Sequence, residues 1–192
     1  MHLRDGKRGG ENLGVVQRLR DREESALRTL MEQYGDELLR TAYLLLKDRH
    51  AAEEAVQDTF ITAYAKIGQL RDDTKLRGWL IRIAVNRCRM KRRSWSWRNL
   101  LPFPRVEDLV PEDHEPGPEE RALGEWRSGS LTRAIGQLDY KYREAITLYY
   151  YAEMSIREIA EQTGTNENTV KARLSRGRAQ LKEQLEQGGI HT

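Results

Sequence analysis

The sequence predicts an all-α protein made of two small helical domains that a proline-rich acidic linker joins. Apolar residues recur at helical spacing in both halves of the chain, and no strand-like alternation is sustained anywhere. All five prolines lie between Pro102 and Pro118. Because proline lacks a backbone N–H and fixes φ, this cluster is incompatible with a helix or a sheet. Its interspersed acidic residues favour an extended tether instead.

The N-terminal domain is expected at residues 15–100, after a disordered tail at 1–14. Asp21 and Glu24 have the spacing of a capping box, which predicts the start of a helix. Its apolar residues step by three and four along the chain: Leu27, Leu30, Met31, Tyr34, Leu38, Ala42 and Leu45. A second helix has one apolar face: Ala52, Ala55, Val56, Phe60, Ala63, Tyr64 and Ile67.

A third helix is expected to begin near Asp73 or Thr74, since either side chain can cap it. Its predicted buried residues are Leu76, Trp79, Leu80, Ile83 and Ala84. The residues left for solvent or a ligand are Arg82, Asn86, Arg89 and the basic run at 91–93.

The C-terminal domain is expected at residues 125–187, with the linker at 101–124 before it and a tail at 188–192 after it. One helix is marked by Leu131, Ile135 and Leu138. Asp139 can cap the next helix. The apolar stripe of that second helix consists of Tyr142, Ala145, Ile146 and Tyr149.

The end of this domain has the spacing of a helix-turn-helix. Ser155 and Glu158 form a capping box, Gly164 can end the first short helix, and Asn166 can cap the second. The exposed face of the second helix is predicted to carry Asn168, Thr169, Lys171, Arg173, Ser175, Arg176 and Arg178. A major groove admits one α-helix, and DNA phosphates attract such cations. The alternative is an ordinary helical hairpin with a basic face.

The net charge of +3 conceals an uneven distribution of charge. Residues 71–105 hold 11 Lys or Arg against two acids, and residues 165–182 hold five against one. Between them, residues 107–125 hold eight acids and one Arg. This pattern indicates two separate surfaces for a polyanion. Three solvated charge runs are the alternative interpretation.

Aromatic residues accompany the first basic block. Trp79, Trp95 and Trp97 could stack on unpaired bases while Lys and Arg follow a nucleic-acid backbone. Trp79 also fits the apolar stripe of its helix, and the other two could cover a domain edge. Asn86 is open to two interpretations, a satisfied core amide or a reader of bases.

Several function classes are excluded or disfavoured by composition. No apolar run is long enough to span a membrane, and no signal-like segment follows the N-terminus. The single cysteine, Cys88, excludes an intramolecular disulfide and a Cys-rich zinc site. We therefore expect a cytoplasmic protein with no cofactor, no metal site and no catalytic residues.

Three segments in order carry a family resemblance: AAEEAVQDTFITAYAKI, WLIRIAVNRCRMKRR and, after the linker, NTVKARLSRGRAQLKEQL. Together they resemble the bacterial extracytoplasmic-function (ECF) sigma factors of the sigma-70 family. The resemblance covers about residues 15–100 and 125–187. It implies two domains, sigma regions 2 and 4. The Trp-Ser-Trp stretch at 95–97 has no counterpart in this pattern.

The resemblance also implies roles for individual residues. Docking on the β′ clamp helices of core RNA polymerase is implied for Glu53, Glu54, Gln57, Asp58, Thr59 and Phe60. A loop that captures a flipped base of the −10 promoter element is implied for Leu70, Arg71, Asp72, Asp73, Thr74, Lys75 and Leu76. Reading and melting of that element is implied for Trp79, Arg82, Asn86, Arg87 and Lys91. Recognition of the −35 element is implied for Asn168, Thr169, Lys171, Arg173, Ser175 and Arg176.

The implied function is promoter-specific initiation of transcription, with core RNA polymerase (β′ clamp helices and β flap), promoter DNA and an anti-sigma factor as partners. Two rival functions remain. A conventional helix-turn-helix regulator would bind duplex operators without polymerase, and it offers no reason for a second basic block. A nuclease or recombinase would need clustered carboxylates or a Ser or Tyr nucleophile among basic residues, and neither arrangement occurs in the sequence.

Overall fold

The computed structural model describes residues 14–98 and 129–187, and every regular element in these ranges is helical. This confirms the predicted all-α class. Residues 1–13 of the expected N-terminal tail, the linker at 101–124 and the tail at 188–192 lie outside the described residues, as do the side chains of Trp95 and Trp97. Gly14, the last residue of the expected tail, is instead helical. None of the described helices is long and apolar enough to cross a membrane.

The N-terminal domain consists of four α-helices. Helix α1 covers 14–20, α2 covers Glu24–Leu46, α3 covers Arg49–Lys66 and α4 covers Leu76–Arg98. Short 3₁₀ turns at Ile67–Gln69 and Asp73–Lys75 connect α3 to α4. Helices α2, α3 and α4 each contact the other two, so they enclose a common core.

Three of the predicted helix caps are wrong. Asp139 directly precedes the helix at Tyr140–Ile146, but its side chain makes no capping hydrogen bond. Helix α2 is preceded by Glu23, which makes no side-chain capping bond, so Asp21 and Glu24 do not form a capping box. Before α4, the cap is Asp72, whose carboxylate accepts from the backbone N–H of Thr74 at 3.0 Å. Asp73 instead pairs with Arg20 of α1 at 2.7 Å. The Asp73 carboxylate, which was predicted to cap the helix, thus binds a side chain of another helix instead.

The predicted apolar stripe of α2 is buried at Leu30, Tyr34, Leu38, Ala42 and Leu45, whereas Met31 is 48% exposed and Leu27 is half-buried. On α4, the buried face is wider than predicted. It includes Ile81, Val85 and Cys88, while Trp79 and Ile83 are only half-buried. The reason is that α4 packs against both α2 and α3, so two sides of the helix are covered.

The C-terminal domain is also built from four α-helices: α5 (Ser130–Gln137), α6 (Tyr140–Ile146), α7 (Ile156–Thr163) and α8 (Glu167–Gln187). A π-helical turn at Thr147–Tyr151 continues α6. The wider winding of this turn changes the angular step, and Tyr149, predicted to be buried, is 38% exposed. Leu131, also predicted on the buried stripe, lies in the first turn of α5 and is 45% exposed.

Helix α8 packs against α5, α6 and α7, and a glycine permits the closest approach. A Cβ at Gly177 would lie 2.9 Å from Cγ1 of Ile146, which is closer than real Cβ contacts. The small residue therefore sets how tightly α8 and α6 pack.

The two domains are in contact. Helix α2 contacts α5, α6 and the π-helical turn. Buried residues of both domains form one hydrophobic cluster. Arg143 of α6 is 8% exposed, and it donates to the carbonyl oxygen of Leu45 at the end of α2 at 3.1 Å. It also donates to the Leu138 carbonyl oxygen within its own domain at 3.1 Å.

Candidate nucleic-acid interface

The helix-turn-helix forms from local capping interactions. The Ser155 hydroxyl accepts from the backbone N–H of Glu158, and the Glu158 carboxylate accepts from the backbone N–H of Ser155 at 2.9 Å. Gly164 ends α7 with a φ of 65°, in the left-handed region that favours glycine. The Asn166 side chain then accepts from the backbone N–H of Thr169 at 2.7 Å. All three local predictions are confirmed.

Helix α8, the second helix of the helix-turn-helix, presents a cationic face. Its inward residues Val170 and Leu174 are buried, as are Ile159 and Ala160 of α7. Of the residues predicted to face the −35 element, those exposed are Asn168, Lys171, Ser175 and Arg176, while Thr169 and Arg173 are half-buried. The helix therefore has the shape and charge to enter a major groove.

A cleft of about 590 Å³ lies at the loop before α4. Its lining includes Asp72, Thr74, Lys75, Trp79 and Arg82. The Thr74 hydroxyl donates to Asp72 at 2.5 Å and, together with the Thr74 backbone N–H, lowers the pKa of that carboxyl.

The remaining residues predicted for the −10 loop divide by exposure. Leu70 and Leu76 are buried, so they hold the loop in place from below. Arg71 is exposed, and Asp73 is half-buried in its pair with Arg20. The loop thus combines a fixed apolar base with a polar, solvent-facing rim.

On α4, Arg82 and Asn86 are exposed. Asn86 is therefore not a buried core amide. Arg87 is half-buried and donates to the Thr62 hydroxyl at 2.5 Å, and Lys91 donates to the Glu54 carboxylate at 2.6 Å. Trp79 packs against the core from a half-buried position, which leaves part of its ring available to a ligand.

The helix predicted to dock on polymerase, α3, presents only part of its predicted set. Glu54 and Gln57 are exposed, and Glu53 and Asp58 are half-buried. Thr59 and Phe60 are buried, and the Thr59 hydroxyl donates to the Ala55 carbonyl oxygen at 2.7 Å. These two residues belong to the core beneath the acidic face.

A polar network joins α4 to the C-terminal domain. The prediction that Arg89 is free for solvent or a ligand is wrong, because its guanidinium lies 2.8 Å from the carboxylate of buried Glu144. Although desolvation opposes it, the hydrogen bond and charge of Glu144 raise the pKa of Arg89. Arg89 also donates to the carbonyl oxygen of Gln162. Sequence reasoning missed Glu144 and Gln162, since nothing local distinguishes them from solvated residues.

The same network reaches the residues predicted to read the −10 element. The side-chain amide of Gln162 donates to Oδ1 of Asn86 at 3.0 Å and to the carbonyl oxygen of Arg82 at 3.2 Å. The Arg82 guanidinium lies 3.8 Å from Glu158 and 3.9 Å from Glu161. Helix α7 therefore lies over this part of α4.

Known sigma factors are similar to both helical domains of the chain. The family model for sigma-70 region 2 matches residues 30–98, and the model for sigma-70 region 4 matches residues 128–181. The ECF RNA polymerase sigma factor SigM of Mycobacterium tuberculosis is 30% identical over 79% of this chain and 73% of its own. The ECF RNA polymerase sigma factor SigW of Bacillus subtilis is 29% identical over 88% of this chain and 94% of its own.

A solved structure has the same fold. The sigma factor RpoE of Bartonella quintana, in complex with the anti-sigma factor NepR, superposes with a TM-score of 0.59 and 24% identity. The match covers 83% of this chain and 96% of that chain. With region 2 and region 4 both matched and SigM 30% identical over most of its length, the chain belongs to the ECF group of sigma-70 RNA polymerase sigma factors.

Proposed function

We propose that the three predicted surfaces divide the work of promoter-specific initiation. The exposed face of α3, which carries the carboxylate of Glu54 and the amide of Gln57, docks on the β′ clamp helices of core polymerase. The cleft before α4 and the polar face of α4 bind the −10 element. The cationic face of α8 binds the −35 element. The observation that carries this assignment is the presence of two basic, partly exposed DNA-sized surfaces on separate helical domains.

The two DNA surfaces suit different states of the promoter. Helix α8 fits duplex DNA, since its cations and amides project from one face of an exposed helix. The cleft of about 590 Å³ before α4 is open enough to receive a base that has left the stack. Flipping a base costs a few kcal/mol, and contacts with Trp79 and Arg82 at the cleft would offset that cost.

The second contact with polymerase is assigned to region 4. An apolar groove of about 530 Å³ runs between α5, the π-helical turn and the end of α8. Its lining includes Leu131, Ile135, Tyr150, Leu181 and Leu185. An apolar groove between helices accepts the apolar face of a partner helix. We assign it to the β flap.

The remaining assignments concern extent and partners. Region 2 with its preceding α1 occupies 15–100 and region 4 occupies 125–187, with the linker at 101–124. An anti-sigma factor is a partner, as it is for RpoE in the complex with NepR. The protein is not an enzyme, because nucleotide addition belongs to the polymerase, and it works in the cytoplasm where the polymerase is.

In vitro run-off transcription tests the proposed function. Purified core polymerase with this protein, on fragmented genomic DNA of the source bacterium, should give transcripts whose mapped 5′ ends share one −35 and one −10 sequence. Core polymerase alone is the control. Specific duplex binding by the protein alone, without any new transcript, would instead support a conventional regulator. Cleavage of the DNA would support an enzyme.

A further inference from the structure

The loop that leads into α4 is held by a side chain of α1. Nη2 of Arg20 donates to the carbonyl oxygen of Leu70 at 2.9 Å and to Oδ1 of Asp73 at 2.7 Å. Nη1 of Arg20 donates to Oδ2 of Asp73 at 3.1 Å. Leu70 and Asp73 lie 50 and 53 positions after Arg20 in the chain. One guanidinium therefore fixes both ends of the segment 70–73 relative to each other.

The residues between these two ends line the cleft that is assigned to the flipped base. Arg71 and Asp72 are exposed, and both line the cleft together with Thr74. The Asp72 carboxylate accepts from the backbone N–H and from the hydroxyl of Thr74. None of the described residues that line the cleft belongs to α1. Arg20 thus fixes the wall of the cleft from outside it.

Helix α1 is attached to the domain by contacts other than the pair with Asp73. Three of its apolar side chains are buried: Val15, Val16 and Leu19. After α1, the chain turns at Arg22, whose φ of 62° is a conformation that arginine rarely adopts. The Arg22 guanidinium donates to the Tyr64 carbonyl oxygen at 2.8 Å, and the Tyr64 hydroxyl donates to the Arg22 carbonyl oxygen at 3.2 Å. These reciprocal hydrogen bonds hold the end of α1 against α3.

The contacts of Arg20 require a guanidinium. Its N–H donors lie in one plane, so it can bind both oxygens of a carboxylate and a carbonyl oxygen at the same time. The ammonium group of lysine is a point charge and does not keep this geometry. The side chain of Asp73 is only 16% exposed, so water competes weakly for it. A loop that is fixed in advance loses less conformational entropy when it binds a ligand.

We propose that Arg20 is a positioning residue for the −10 element, which holds the loop before α4 in the conformation that receives the flipped base and does not itself contact DNA. The inference rests on the proposed assignment of this loop to the −10 element. It gives α1 a role in base selection, because the pair between Arg20 and Asp73 sets the fraction of molecules whose cleft is ready to receive the base.

The first test measures binding of the holoenzyme to forked DNA, in which the −35 element is duplex and the mapped −10 sequence is a single strand. A series of forks with an abasic site at each −10 position locates the captured base, as the position where wild type loses the most affinity. Arg20→Ala should reduce the preference for the intact fork over that abasic fork about tenfold. Only binding of the intact fork should weaken, because the rest of the promoter contacts are unchanged.

Two further variants and a control make this test specific. Arg20→Lys keeps the charge and should fall between wild type and Arg20→Ala. Asp73→Asn removes the charge of the partner and should show the same selective loss. Arg18→Ala is the matched control, because Arg18 lies on α1 and pairs with Glu23 at 2.8 Å, and it should keep the wild-type preference. An equal loss on both forks, with a salt slope lower by about one unit, would indicate a phosphate contact and overturn the inference.

The second test follows the loop in the full chain, without DNA. The backbone N–H groups of Thr74 and Lys75 donate within the loop, to the carboxylate and to the carbonyl oxygen of Asp72, both at 3.0 Å. Hydrogen exchange of these two amides should be about tenfold faster in Arg20→Ala than in Arg18→Ala. Amides in the middle of α3 should keep their rates, which also shows that the variant is folded. Equal exchange in the loop would overturn the inference. Where Arg20→Ala does not fold, Asp73→Asn gives the same readout.

Asp72→Ala separates failure of this inference from failure of the proposed function, because Asp72 itself lines the cleft. Suppose that Asp72→Ala loses the preference for the intact fork and Arg20→Ala keeps it. The inference would then be wrong while the proposed function stands. If wild type loses affinity at no abasic position, or if neither variant changes the preference, the loop does not capture a base and both are wrong.

Discussion

The guanidinium of Arg89 on α4 lies 2.8 Å from the carboxylate of Glu144 on α6, and so joins the two domains of the protein. The Glu144 side chain is only 6% exposed, and the Tyr140 hydroxyl donates to the same carboxylate oxygen at 2.9 Å. A carboxylate held this far from water depends on its partners, because water cannot replace them.

Arg89→Ala should therefore destabilise the protein even though the arginine side chain itself is partly exposed. We expect the free energy of unfolding in urea to fall by about 2 kcal/mol, since the change leaves a buried charge with a single hydroxyl partner. Glu144→Gln alone should also destabilise, but the double variant should lose less than the sum of the two. Strict additivity in this cycle would mean that the ion pair contributes no coupling.

The capping box of α7 gives a second prediction, on pH. Ser155→Ala should lower the free energy of unfolding by about 1 kcal/mol at neutral pH. Hydrogen bonds from the backbone N–H and the hydroxyl of Ser155, with the charges of Arg82 and Lys75, hold the pKa of Glu158 below its ordinary 4.5. A depressed folded pKa means that this stabilisation is present above the unfolded pKa and is lost as pH falls through the folded pKa.

The stability lost in Glu158→Gln should therefore shrink on acidification below pH 4.5, when Glu158 itself becomes neutral. The difference in stability between wild type and Glu158→Gln is measured by thermal unfolding of both proteins across this pH range. Exposed Glu32→Gln on α2 is the matched control. A deficit that does not change with pH would show that the carboxylate charge is not what the cap uses.

Local signals explain why the helix-turn-helix could be predicted from sequence. Each of its caps joins residues at most three positions apart, so Ser155, Glu158 and Asn166 could be assigned before any fold was known. The cap before α4 could not be predicted in this way, since Asp73 and Thr74 were equally good candidates and the actual cap is Asp72. The choice depended on Arg20, which lies 53 positions from the Asp73 that it binds.

The interface between the domains was beyond sequence reasoning for the same reason. Asn86 and Gln162 are 76 positions apart, and no periodicity relates a polar face of one helix to that of another. The role of Gly177 could not be predicted either. A glycine within a helical pattern gives no sign of a packing role, and the structure shows that role by packing Ile146 against it. Residues that act through distant partners were missed, whereas the caps of the helix-turn-helix, which act within one turn, were found.

Polymerase docking supplies the third prediction. Reversing Glu54 and Asp58 to Lys should weaken binding of core polymerase about tenfold, a change of about 1.4 kcal/mol, because α3 would then present cations to a partner that fits an acidic face. The matched control reverses Glu32 and Asp36 on the outer face of α2. Helicity by circular dichroism should be unchanged in both. Equal retention of core polymerase by both variants in a pull-down would place the docking face elsewhere.

Recognition of the −35 element gives the fourth prediction. Arg176 is exposed on α8, so Arg176→Ala should remove a base contact, worth about 1–3 kcal/mol of discrimination, or a phosphate contact. Loss of one phosphate contact should lower the slope of log affinity against log salt by about one unit. Exposed Arg133→Ala on α5 is the control of equal charge. Duplex binding measured over a salt series would contradict the assignment if the two variants behaved alike.

Asn86 gives the last prediction, which separates opening of the promoter from its first recognition. Its side chain is exposed and its oxygen accepts from Gln162, so Asn86→Ala should leave region 2 folded. Affinity of the holoenzyme for the duplex −35 element should be nearly intact. The amount of open complex should fall. Unstacking a base still costs free energy, and the contact between Asn86 and the unpaired strand no longer offsets that cost.

Permanganate reactivity of unpaired thymines near −10 measures this loss. A template whose −10 region is already unpaired should partly rescue Asn86→Ala, since opening no longer has to be driven by binding. Gln162→Ala is an informative partner, because it removes the same hydrogen bond from the other side and leaves Asn86 available to DNA. If Asn86→Ala weakened closed and open complexes equally, the residue would not act on the opened strand. If Gln162→Ala produced the same defect as Asn86→Ala, their hydrogen bond rather than a DNA contact would be what the polymerase needs.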